Sequence, residues 1–239
     1  MRPYNATTHQ RLADIDVTVL SCPRDIAACE LTSRLYVADN WECVWRVSSD
    51  GVDIQRWLTW SPSDRFEPCT LSVTSSRLLV SSLGRQLRQF DAAGGDELRR
   101  VGLPDYMETY HAVESPTATF IVAHNNTQLK QWQVSEVSTE GQVLRQFSGL
   151  LGWPRHIAVG RQGNIFVADS AYGTRDWAFG RILLLDAQLS QRRVIIDARQ
   201  LNGKPPHRLC YTEQSGQLLV GLSDGFEKGA VAVFDVLRR

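Results

Sequence analysis

Residues 153–186 read WPRHIAVGRQGNIFVADSAYGTRDWAFGRILLLD. Three apolar runs stand in this stretch: Ile157–Val159, Ile165–Ala168 and Ile182–Leu185. Gly163-Asn164 parts the first two, and a longer polar and aromatic segment, Ser170–Gly180, parts the second from the third. Short apolar runs bounded by turn residues predict β-strands.

The rest of the chain repeats this pattern. A proline or its substitute stands two residues before an apolar run at Pro23, Pro68, Thr109, Pro154 and Pro206. About a dozen residues after each anchor comes a second run. These are Leu35–Ala38, Leu78–Ser81, Phe120–Ala123, Ile165–Ala168 and Leu218–Gly221. The third position is valine in all five and the fourth is always small. Chance does not supply that agreement five times.

A third strand is expected at Val44–Val47, Gln86–Phe90, Leu129–Val134, Arg181–Leu185 and Val231–Val236. A fourth ends four copies, at Ile54–Leu58, Glu97–Val101, Val143–Phe147 and Arg193–Ile196. The fifth copy stops at Arg239 without one, while Asp16–Leu20 lies before Pro23 where the other copies carry their fourth strand. Four-stranded units of roughly 40–50 residues are the blades of a β-propeller. The expected fold is therefore all-β: a single closed β-propeller domain over residues 1–239, its last blade completed by the N-terminal strand.

Pro154–Asp186, with its PRHIAV, GNIFVAD and RILLLD runs, resembles an NHL repeat. CPRDIAAC, LYVADN and VWRVS form a second, weaker copy. Propellers of that kind commonly have six blades. Five repeats are found here and only some twenty residues precede Pro23, so five blades are expected, with six as the alternative. The resemblance further implies that the first strand of each blade lines a central channel. It also implies that binding happens on the face shared by the second-to-third-strand loops and the loops leading into the next blade.

Composition narrows the partners. The formal net charge is zero, with 26 basic and 26 acidic residues, so a dedicated nucleic-acid or membrane-surface protein is not expected. No stretch is long and apolar enough for a membrane helix, and the N-terminus lacks the apolar segment of a secretory signal. A cytoplasmic monomer is the expectation. The five cysteines include no CxxC pair, so neither a disulfide framework nor a cysteine zinc site is expected.

Two sets of repeat-equivalent polar residues are the candidates for chemistry. Two residues after each anchor stand Asp25, Thr70, His111, His156 and Arg208, a ring at the channel mouth. Closing each second strand stand Asp39, Ser82, His124, Asp169 and Leu222. Imidazoles and carboxylates suit a transition metal or acid–base work. Structural duty is the competing reading: Asp39 and Asp169 as turn caps that accept backbone N–H groups, His111 and His156 as hydrogen-bonded channel residues.

The loops supply a third set. Trp41, Trp60, Tyr172, Arg175, Trp177 and Phe179 fall in loops of the expected binding face, with Arg155, His156 and Arg208 beside it. Trp153 belongs to the same loop set, whereas Trp45, Trp57 and Trp132 sit within strands and are expected to pack inward. Aromatic and arginine side chains dominate binding hot spots.

No nucleophile elbow, HExxH, P-loop or dinucleotide fingerprint occurs. The leading expectation is a binding scaffold without enzymatic activity or cofactor, which takes a protein, peptide or small polar ligand on its loop face. Two alternatives follow from the resemblance. One is a metal-dependent propeller enzyme, similar to calcium lactonases or a zinc amidating lyase, with His111, His156, His207 and Asp25 as the nearest equivalents. The other is a single-stranded RNA binder.

Overall fold

Each repeat folds into one antiparallel sheet. The computed structural model describes residues 18–39, 42–60, 66–82, 84–147, 149–170, 180–223 and 229–236. Blade 1 is β1 (Pro23–Cys29), β2 (Arg34–Asp39), β3 (Cys43–Ser48) and β4 (Ile54–Thr59). Blade 2 is β5 (Pro68–Thr74), β6 (Arg77–Ser82), β7 (Gln86–Asp91) and β8 (Glu97–Gly102). Blade 3 is β9 (Met107–Glu114), β10 (Phe120–Asn126), β11 (Gln131–Val137) and β12 (Val143–Gln146). Blade 4 is β13 (Pro154–Val159), β14 (Ile165–Asp169), β15 (Arg181–Leu185) and β16 (Gln191–Ile196). Blade 5 is β17 (Pro206–Thr212), β18 (Gln217–Leu222) and β19 (Ala230–Asp235). Among the described residues there are five sheets and no sixth.

The anchor is the first residue of its strand in four blades, not a residue ahead of it. A proline fits there because it has no N–H to give the ladder. In blade 3 the strand begins two residues earlier, at Met107, where threonine replaces the proline. The expected third strand at Leu129 starts instead at Gln131. Asn126 Oδ1 accepts the N–H of Gln128 (3.2 Å) and of Leu129 (3.0 Å), and Lys130 takes a positive φ of 54°, which holds the chain in a turn.

The register of the first hairpin is the same in all five blades. Pro23 faces Asp39, Pro68 faces Ser82, Thr109 faces His124, Pro154 faces Asp169 and Pro206 faces Leu222. One residue then goes unpaired: Arg24, Cys69, Tyr110, Arg155 and His207. Such an extra residue is a β-bulge, which bends the strand and re-aims its side chains. Pairing resumes with Asp25 against Ala38, Thr70 against Ser81, His111 against Ala123, His156 against Ala168 and Arg208 against Gly221.

That register explains the small fourth residue, because it stands across from a larger polar side chain. A Cβ added at Gly221 would lie 3.3 Å from the Cβ of Arg208. The recurrent valine comes next in register, against Ile26, Leu71, Ala112, Ile157 and Leu209. All five valines are buried.

The sheets group into two compact units. Apart from the ends of β7 and β8, blades 1 and 2 form the first and blades 3 to 5 the second. In the first unit, Cys29, Tyr36, Ala38 and Val44 pack with Leu71, Leu78, Val80 and Phe90. Tyr36 Oη donates to the Ala92 carbonyl at 2.5 Å.

In the second unit β14 is buried along its whole length and divides its side chains between two cores. Ile165 and Val167 join Leu183, Leu185, Val113 and Val134 on one face. Phe166 and Ala168 join Ile182, Leu184, Leu209 and Val220 on the other. A strand alternates its side chains, so an unbroken apolar run is what a sheet covered on both faces requires. Full burial of each large apolar side chain contributes about 1.5–3 kcal/mol.

The closing strand expected at Asp16–Leu20 falls only partly within the described residues. Asp16 and Val17 lie outside them, and Thr18 and Val19 form a turn. Leu20 packs beside Val37 and Val47 of blade 1. Among the described residues no helix is long and apolar enough to cross a membrane.

Candidate functional site

In each antiparallel blade the start of the first strand, the end of the second, the start of the third and the end of the fourth lie together. The anchors and their neighbours therefore gather at the loop end of every sheet, on rigid strands rather than on the loops themselves.

The residues two after the anchors tie one blade to the next. In the first unit Asp25 is buried, and its carboxylate accepts the N–H of Leu71 at 2.9 Å. Thr70, also buried, shares a short hydroxyl–hydroxyl bond with Ser81 across its own hairpin. In the second unit His111 Nδ1 accepts the N–H of Ile157 at 3.2 Å, and His156 Nδ1 accepts that of Leu209 at 3.3 Å. Each acceptor thus holds the residue just after its own counterpart in the following blade.

The His111 and His156 rings stack with centroids 3.7 Å apart and planes 27° apart. Burial, then the neighbouring His111, then Arg208 hold His156 well below the usual histidine range, so it is neutral near pH 7. Because Nδ1 accepts a backbone N–H in both rings, the proton of each neutral ring sits on Nε2. A metal needs an unprotonated ring nitrogen. With Nδ1 engaged in both rings, a metal would have to displace the Nε2 proton of each imidazole.

The strand-closing carboxylates are caps. Asp39 accepts the N–H of Ser21 (3.0 Å) and Cys22 (2.6 Å), the two residues before its anchor, and the Trp45 indole N–H at 3.2 Å. Asp169 does the same for Gly152 (2.8 Å) and Trp153 (2.9 Å), and receives Arg181 Nε at 2.9 Å. The third member, His124, is buried and bonds Ser135 Oγ at 2.8 Å through Nε2. Burial lowers its pKa to about 4.

An aromatic cluster stands at the loop end of the second unit. Trp132 and Trp153 stack at 5.5 Å and 22°. Tyr110 meets both edge-on, at 5.0 Å from Trp132 and 5.7 Å from Trp153. The Arg155 guanidinium lies 3.6 Å from the centre of the Trp153 ring. All four side chains are half-buried. Trp132, expected to pack inward, instead stacks on a loop residue, because it is the second residue of β11, near the loop end.

Arg155 and Arg208 both act on the His207 imidazole. The Leu209–His156 bond sets the start of β17 beside the start of β13. Arg208 Nη1 donates to the His207 carbonyl at 3.1 Å. The His207 imidazole titrates at about 4, lowered first by burial and then by Arg155 and Arg208.

Two of the cluster residues, Tyr110 and Arg155, are bulge residues, and His207 is the third of the second unit. Sequence reasoning looked one position further on, at the polar ring, and passed over Tyr110. The signal was present: in three successive repeats the position after the anchor holds Tyr110, Arg155 and His207, all suited to recognition.

The other loop candidates divide. Trp60 packs on Phe66 (4.9 Å) and Phe90 (6.2 Å) at the edge of the first unit's core. Trp57 joins the same core against Tyr36. Trp41, Tyr172, Arg175, Trp177 and Phe179 lie outside the described residues.

No protein-family model matches the chain. No curated protein sequence matches it. Solved structures do. A protein of unknown function from Bacteroides caccae aligns with a TM-score of 0.67 at 16% identity, covering 94% of this chain and 79% of that one. The Cps50 (Swd1) β-propeller domain of Myceliophteria thermophila gives 0.63 at 10% identity, covering 98% and 75%. The WD40 β-propeller domain of Doa1 gives 0.59 at 14% identity, covering 89% and 68%. These likenesses span nearly the whole chain, and the fold is a five-bladed β-propeller.

Proposed function

We propose that this propeller is a non-enzymatic binding scaffold that holds a protein, peptide or small polar ligand on Tyr110, Trp132, Trp153 and Arg155. The carrying observation is the Arg155 guanidinium 3.6 Å over the half-buried Trp153 ring, at the loop end of the sheet. Stacking of this kind contributes about 0.5–1 kcal/mol at an exposed site and more when water is excluded. A partner that covers the pair gains that strengthening. Large, rigid aromatics beside arginine are the composition of binding hot spots.

The chemistry of the neighbouring histidines supports binding over catalysis. His111 and His156 are engaged as acceptors for backbone N–H groups, which leaves neither as a free base. The PRHIAV and GNIFVAD runs support an NHL-like origin for the repeat. We treat residues 1–239 as one domain acting as a monomer.

Selection of a random dodecapeptide display library on the immobilised protein tests the reading. Selected peptides should lose at least tenfold in affinity for Trp153→Ala while the variant keeps its melting temperature. Undiminished binding by folded Trp153→Ala would place the site elsewhere.

A further inference from the structure

We infer that the outer edge of β19 is a strand-docking site, and that residues 10–15 of this chain occupy it as the fourth strand of blade 5. The sequence pattern alone put that strand at residues 16–20.

The edge itself is the first observation. Among the described residues blade 5 has three strands, and β19 is the outermost. It reads AVAVFD, and Val231 and Val233 are exposed. The outermost strands of blades 1 to 4 are built differently. Each carries arginine: Arg56 in β4, Arg99 and Arg100 in β8, Arg145 in β12 and Arg193 in β16. Charge on an edge strand deters pairing with another chain, and a run of small and β-branched residues invites it. The only charge on β19 is Asp235, at its last position. Its composition is that of an inner strand.

The occupant follows from spacing. Trp57, Leu98, Val143 and Ile195 each lie on a fourth strand, and each stands eleven residues before the next anchor: Pro68, Thr109, Pro154 and Pro206. All four are large and apolar. Eleven residues before Pro23 stands Leu12. In blades 1 and 4 the reason for an apolar residue is visible. Trp57 and Ile195 are the unpaired residues of a bulge between the third and fourth strands, and both pack against a core.

The same register assigns partners on β19. Arg56 faces Trp45 and Val194 faces Leu183. Trp45 and Leu183 face the recurrent valines Val37 and Val167, as Ala232 faces Val220. Arg11, which precedes Leu12 as Arg56 precedes Trp57, then faces Ala232. Leu58 and Ile196 face Val44 and Ile182, so Ala13 faces Val231. Arg11 thereby supplies blade 5 with the edge arginine that the other four blades carry.

Residues 18–22 already have another task. Thr18 and Val19 form a turn, Leu20 packs beside Val37 and Val47, and Ser21 and Cys22 give their N–H groups to Asp39. Gly152 and Trp153 stand at the same two places before Pro154 and are held in the same way by Asp169. In that blade the preceding strand, β12, has ended at Gln146. The segment just ahead of an anchor is thus the link between blades, and the strand lies before it.

Hydrogen exchange of the full-length protein, read by mass spectrometry, tests the assignment. Amides of residues 10–15 and of β19 should be protected together. Leu12→Asp, which puts a carboxylate at the core-facing position, should speed exchange in both segments by about tenfold or more. Val17→Asp should change neither. A second variant keeps the test decisive if Leu12→Asp does not fold. In Ala13→Cys with Val231→Cys, mild oxidation should join the two positions within one chain, because residues paired across antiparallel strands lie within disulfide reach. Fast exchange at residues 10–15 of the wild type, or protection at 16–20 in their place, would overturn the inference. So would a folded double variant that forms no such disulfide. A disulfide found only between two chains, or a β19 protected only where light scattering reports a dimer, would give the edge to a second copy and overturn it as well.

Discussion

His156 Nδ1 accepts the amide N–H of Leu209, 3.3 Å away and one repeat further along the chain. His111 does the same for Ile157, and Asp25 for Leu71. An aspartate and two histidines thus perform one task, the capture of a backbone donor from the following blade. Truncation of His156 to alanine leaves that N–H unsatisfied, a loss of about 1–3 kcal/mol. Urea unfolding should show a lower midpoint for His156→Ala and for His111→Ala. Midpoints equal to wild type would mean that the bonds add nothing to the packing around them.

Acid should weaken the second unit. Burial lowers the pKa of His124 to about 4 from an ordinary 6.5, and His156 is also held low, by burial, His111 and Arg208. A histidine whose folded pKa is depressed binds its proton more readily when unfolded. Its contribution is complete above about pH 6.5 and declines as pH falls towards 4. Melting temperatures measured from pH 8 to pH 4 should fall below pH 6.5, and His124→Gln should flatten part of the decline. A profile that His124→Gln leaves unchanged would assign the loss to other groups.

Asp169 links the cap to the platform. It holds the N–H of Trp153, whose ring carries Arg155. Asp169→Ala removes the acceptor for two backbone donors and for Arg181, and should cost about 2–3 kcal/mol. Because it frees the chain just before Pro154, tryptophan fluorescence should shift to the red as well. Loss of stability with an unchanged emission spectrum would separate the two roles.

Deletion of residues 1–20 tests how the last blade ends. Blade 5 has three strands among the described residues, and Val231 and Val233 on its outer strand β19 are exposed. An uncovered edge strand invites pairing with another chain. The truncated protein should aggregate at concentrations where the full chain does not, as light scattering will report. A soluble truncation with full stability would refute closure by the N-terminal segment.

The blades were legible because their constraint is local and repeated. Valine at Val37, Val80, Val122, Val167 and Val220 and the small residue after it mark one register, and register fixes which face each side chain meets. The caps at Asp39 and Asp169 were legible for the same reason, as one carboxylate at one place in the repeat. The platform was not. Tyr110, Trp132 and Trp153 come from three different segments, and only the stacking of β9, β11 and β13 at their loop ends brings the rings together. Nothing along the chain separates Trp132 from Trp57, which also lies in a strand yet packs into a core.

The unpaired residue after each anchor separates two kinds of constraint. Its neighbour on one side is the anchor, the strand's first residue in four blades, and on the other the side chain facing the small residue of the hairpin, both set by the fold. The residue between them answers to neither ladder. Arginine, cysteine, tyrosine and histidine all stand in that position within this one chain. A propeller of this construction can therefore vary this side chain by point substitution at five places, with the same folding instructions kept throughout. For protein engineering, Arg24, Cys69, Tyr110, Arg155 and His207 are the positions to randomise first.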